Sequence, residues 1–88
     1  MEKTKVIFRK TKDGEVVAFF PDTYGTPDVN PGMIMSYAHV GQHGEASIGF
    51  YRECRKCDPD DYRGLLAELK GIYDDCELVV RNRISYRR

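Results

Sequence analysis

A chain of 88 residues with 41% hydrophobic and 32% charged side chains is long enough for one small folded domain and too apolar for a disordered one. Its 14 basic and 14 acidic side chains cancel, which removes the global positive field that most nucleic-acid binders use, so nucleic acid is not an expected partner. The start, Met1-Glu-Lys-Thr-Lys5, reads neither as a signal peptide nor as a membrane span, and three cysteines, an odd number, argue against a secreted disulfide framework. The expectation is a cytoplasmic protein with reduced thiols or a metal site, and no membrane partner.

The charge is unevenly spread. Lys3, Lys5, Arg9, Lys10 and Lys12 make the first segment basic, Arg81, Arg83, Arg87 and Arg88 do the same for the last, and acidic residues gather between Asp58 and Glu77. If the two ends lie side by side, a basic edge results.

Thr4–Thr11 and Glu15–Phe20 are rich in Val, Ile and Phe and flank Lys12-Asp13-Gly14, whose Asp-Gly pair supplies the positive φ of a tight hairpin turn. The second of these strands, with Val16-Val-Ala-Phe-Phe20, is apolar on both faces and belongs in the middle of a sheet. From Pro21 to Gly32 three prolines and two glycines make a long irregular loop, of the kind that acts as a lid or a recognition element.

Met33–Val40 reads as a third strand. Period two puts Ile34, Ser36, Ala38 and Val40 on one face, small and apolar enough to lie under a helix, and Met35, Tyr37 and His39 on the other, which carries the chemistry. Gly41-Gln42-His43-Gly44 then turns the chain into a fourth strand over Glu45–Arg52, with Ala46, Ile48 and Phe50 on one side and Ser47, Gly49 and Tyr51 on the other.

Asp58-Pro59-Asp60-Asp61 has the form of a helix start, with a capping Asp, a proline in the first turn and acidic side chains at the positive end of the dipole. Tyr62, Leu65, Leu66, Leu69, Ile72 and Tyr73 follow on one helical stripe and are expected in the core. Gly71 lies near the helix end. Glu77–Ile84 reads as a fifth strand, able to pair with the first strand or to sit at an edge. The whole is a single α+β domain, residues 1–88, with a small antiparallel sheet of four to five strands in the order β-β-β-β-α-β and one helix packed on one face. The open edges of such a sheet offer a route to a homodimer.

The densest chemistry lies in Ser36-Tyr-Ala-His-Val-Gly-Gln-His-Gly44, which contains both histidines of the chain. Tyr37, His39, Gln42 and His43 offer donors, acceptors and ring faces, and the Gly41-x-x-Gly44 turn exposes backbone N–H groups that can form an anion-binding nest. Tyr37, His39, Gly41, Gln42, His43 and Gly44 are therefore the expected binding residues, for a small anionic or nucleotide ligand or a partner protein. An alternative takes His39, His43, Cys54 and Cys57 as the ligands of a structural zinc, because His-x3-His and Cys-x2-Cys are both spacings that tetrahedral zinc sites use. A second alternative is a His-dependent hydrolase, since an unperturbed imidazole titrates at roughly 6.5. The chain offers no nucleophile motif, no phosphate loop and no paired acids that name a reaction, so a non-catalytic binder is preferred and no catalytic residue is assigned.

In these same residues, together with Lys3–Lys10, Asp13–Pro21, Pro59 to Tyr62 and Glu77–Arg81, the chain resembles a group of small hypothetical proteins of bacteria, their phages and mobile elements. The shared motif is Ser-Tyr-x-His-x-Gly-Gln-His, carried by Ser36, Tyr37, His39, Gly41, Gln42 and His43. The resemblance implies no particular activity. It implies a mobile-element setting in which a counter-defence role, through a host protein or a nucleotide signal, is an expectation. Cys54-x2-Cys57 is not part of that motif.

Overall fold

The computed structural model describes residues 2–23, 26–27, 29–38 and 43–83. Strands β1 (Glu2–Lys10) and β2 (Val16–Phe20) form the expected hairpin, pairing Ile7 with Phe19 and Lys10 with Val16. Its turn closes on Gly14 at φ +89°, a conformation that an L side chain rarely adopts. A short 3-10 turn, Pro21–Thr23, leads through the loop to β3 (Met33–Tyr37), which pairs antiparallel with β2 and with β4 (His43–Ser47). Helix α1 (Ile48–Glu53), strand β5 (Arg55–Lys56), helix α2 (Pro59–Ile72) and strand β6 (Cys76–Arg81) complete the chain.

The sheet runs β4-β3-β2-β1, and on the far side of β1 lie both β6, level with Glu2 to Ile7, and β5, level with Arg9 and Lys10. β6 is parallel to β1 while the other pairs are antiparallel, so the α+β sheet is mixed rather than antiparallel throughout. The last strand thus both pairs with the first and lies at an edge, with Arg81 level with Ile7; it ends at Arg81, and Ile84, Arg87 and Arg88 lie outside the described residues.

Both faces of the sheet are covered in part. Val6, Phe8, Ala18, Phe20 and Tyr37 pack against Leu65 and Leu69 of α2, while Ile7, Val17, Phe19 and Ile34 pack against Tyr51 and Cys54. This is strand alternation at work: each central strand is apolar at odd and even positions because each face has a helix to meet. Phe19 is held edge-on by the Tyr51 ring, 5.2 Å between centroids, and Phe8 stacks on Tyr62 at 4.4 Å.

The structure departs from expectation at two further points. Residues 48–53 form a helix instead of the second half of a strand, because the Ser47 hydroxyl accepts the Phe50 N–H at 3.0 Å and caps it. The stripe of α2 is core at Leu65 and Leu69, with Tyr62, Leu66 and Tyr73 packed alongside, but Ile72 at its end is 45% exposed. Among the described residues no helix is long and apolar enough to cross a membrane.

Candidate functional site

The third strand meets α2 with the face that the alternation assigned to chemistry. Met35 and Tyr37 lie on the α2 side, and Ile34 lies on the side of α1, the reverse of the expected facing. The reason is register: Ala18 is level with Tyr37, and Ala18 belongs to the apolar set that α2 covers, so Tyr37 follows it beneath the helix. Tyr37 is 1% exposed, and its hydroxyl donates to the carboxylate of Glu68 on α2. Its ring and its hydroxyl are used internally, tying the end of β3 to the helix.

Of the other expected binding residues, His39, Gly41 and Gln42 lie outside the described residues, as does Val40. The backbone of His43 pairs with Tyr37, and that of Gly44 with Ser36. Ser36 donates its hydroxyl to the Gly44 carbonyl at 3.0 Å, so it staples the hairpin.

Tyr24, Gly25 and Asp28 of the Pro21–Gly32 loop lie outside the described residues. Elsewhere the loop is tied to the hairpin: Asn30 donates its amide and its backbone N–H to the Glu45 carboxylate at 2.8 and 3.2 Å, Thr23 accepts the Met35 N–H at 2.9 Å, and Val29 is buried.

The two cysteines of Cys54-x2-Cys57 separate. Cys54 packs with Ile7 and Tyr51 on the α1 side and Cys57 against the α2-side cluster, because three residues along an extended segment change face. Burial pushes both thiols up from their ordinary value, Arg9 opposing this at Cys54 and a neighbouring Asp61 adding to it at Cys57. Among the described residues no group of three or more His, Cys, Asp or Glu is arranged to hold a metal ion.

What the sequence did not reveal is a cavity of about 250 Å³ at the end of the hairpin, lined by Glu15, Val16, Ala38, Asp61, Gly64 and Leu65. Ala38, which follows β3, is the described residue of the motif segment in this lining. Asp61, Gly64 and Leu65 lie on one stripe of α2 by their i, i+3, i+4 spacing. Asp61 accepts the Asp58 backbone N–H at 3.0 Å and pairs with Lys10 at 3.2 Å; these contacts, the backbone bond first, hold its carboxyl below the usual aspartate range. Among the described residues Glu15 has no ion-pair partner.

Gly64 stands out within this lining. It sits in the interior of a 14-residue helix, where glycine costs about 1 kcal/mol against alanine. A Cβ built on it meets nothing within 4 Å, so no packing contact demands its absence. A glycine in a helix interior, beside an acidic residue three positions earlier, was the available sequence signal.

Another cavity among the described residues, also about 250 Å³, lies at the β1–β2 turn and is lined by Thr11, Lys12, Asp13, Phe50, Glu53 and Cys54. It lies against α1. The chain matches no protein-family model, no curated protein and no solved structure.

Proposed function

We propose that the domain is a non-catalytic binding module for a partner protein, and that the contact is made by the segment from Ala38 to Gly44 together with the cavity beside it. The observation that carries this reading is the cavity itself, whose lining joins apolar and acidic residues around Gly64, a helix-interior glycine that no packing contact requires.

Size and charge choose the occupant. At about 250 Å³ the cavity is smaller than the roughly 300–1,000 Å³ of small-molecule sites, so it suits one side chain better than a nucleotide. Val16 and Leu65 line it together with two acidic residues, Glu15 and the Lys10-paired Asp61, a match for an arginine or lysine with an apolar stem and a cationic head. That lining opposes an anion at this spot. His39, Gln42 and His43 supply further polar contacts on the adjoining segment in this reading, and a host protein engaged for counter-defence is one partner consistent with the resemblance.

The test is capture from a bacterial lysate with the wild-type chain and with Gly64→Leu and His39→Ala variants, each checked for a native circular dichroism spectrum. A protein held by the wild type and lost with Gly64→Leu supports the reading. A partner retained equally by all three, or turnover of a phosphoester panel that disappears with His39→Ala, refutes it.

A further inference from the structure

The two edges of the sheet differ in kind. β4 is five residues long, Gly44, Glu45 and Ser47 are exposed, and Glu45 is bound by Asn30. β6 is six residues long, and its middle is Leu78-Val79-Val80, all half-buried. Among the described residues it pairs with β1 alone, and its middle carries none of the proline or charge that commonly blunts an edge strand.

We infer that β6 is a dimerisation edge, at which a second copy of this chain pairs antiparallel about a two-fold axis passing through Val79. In that register Val79 lies opposite its own counterpart, Leu78 opposite Val80, and Glu77 opposite Arg81, each of the last two pairs occurring twice. Opposed residues of an antiparallel pair point to the same side. Leu78 and Val80 lie on the α2 side, so these apolar residues of both copies line one surface, while Glu77, Val79 and Arg81 alternate onto the other.

Moving the axis one residue in either direction sets Val79 against Glu77 or against Arg81. The Val79-centred register matches apolar to apolar and acid to base at every position from 77 to 81. It also explains the balance of charge at this edge: Glu77 is level with Lys3 of its own β1 and with Arg81 of the second copy, the single acid between two bases. The dimer leaves both β4 edges at the far ends of one continuous sheet, so the two hairpin ends remain open and the assembly is bivalent.

Sedimentation velocity on the wild type, Glu77→Arg, Arg81→Glu and the double swap tests the charge pairing. Each single reversal sets like charges opposite one another twice, which raises the dimer dissociation constant roughly ten- to thirtyfold, and the double swap, made together with Lys3→Glu so that position 77 keeps an opposite charge beside it in β1, restores it. Circular dichroism of the double swap, which carries all these substitutions, controls for folding.

Val79→Cys tests the register: opposed Cα atoms about 4.5–5.5 Å apart lie within disulfide reach, so mild oxidation gives a covalent dimer that Leu78→Cys and the wild type with its three native thiols do not give. A wild type that is monomeric at NMR concentrations, a double swap as weak as the single reversals, or cross-linking at Leu78→Cys in place of Val79→Cys overturns the inference.

Discussion

Gly64→Ala separates what the fold needs from what the cavity needs. The residue lies in the interior of α2 (Pro59–Ile72) and is exposed, so the change removes the backbone-entropy penalty of glycine without burying new surface. A Cβ there meets nothing within 4 Å, which removes both clash and packing gain from the balance and leaves the helix-propensity difference, about 0.8–1 kcal/mol in favour of alanine. For 88 residues that corresponds to a rise of about 4–5 °C in the melting temperature. Thermal unfolding followed at 222 nm measures it. Gly64 also lines the cavity, so the larger Gly64→Leu side chain, and not the methyl, is expected to weaken partner capture. A lower melting temperature would refute the claim that packing does not require this glycine, and unchanged capture with the larger Gly64→Leu side chain would refute its link to the cavity.

Tyr37→Phe keeps the buried ring and removes the donor to Glu68, costing about 1–2 kcal/mol in urea melts; an unchanged midpoint would mean that the hydroxyl does not tie β3 to α2. Burial raises the Cys54 and Cys57 thiols, so at neutral pH less thiolate is present and iodoacetamide labels both more slowly than a small free thiol until the chain is unfolded; labelling of the native protein at the free-thiol rate would contradict their placement. The Asp61 carboxyl is held low in the folded state, so its contribution is present above the unfolded aspartate value of about 4 and fades as pH falls through the folded value. The stability gap between wild type and Asp61→Ala therefore narrows in acid, and a gap that widened on acidification would reverse the sign of the argument.

Local signals in the sequence carried the elements whose causes are local. Asp13-Gly14 names its turn because only a residue free to adopt positive φ closes it, and Pro59 marks the start of α2 because its missing N–H falls where the helix has no acceptor. The short helix at 48–53 was hidden because Ala46, Ile48 and Phe50 alternate as a strand would; Ser47 was the competing signal, a cap whose hydroxyl bonds the Phe50 N–H.

The facing of β3 was not a local property. Period two divides Ile34 from Tyr37, but which set lies under α2 depends on the neighbouring strand, through the register that sets Tyr37 beside Ala18. The cavity was equally out of reach, since Glu15, Ala38 and Asp61 meet only once hairpin and helix are assembled. Cys54 and Cys57 look like a pair in spacing and part in space, because β5 sends one to each face.

The most direct measurement of the central claim is a 15N-NMR titration of the full chain with an arginine-containing peptide amide. Shift changes are expected at Val16, Ala38, Gly64 and Leu65 that saturate and that weaken severalfold in Glu15→Gln, where a carboxylate with no ion-pair partner among the described residues is lost. Saturating shifts confined to the β1–β2 turn and α1, or no shifts at the four cavity residues, would contradict it.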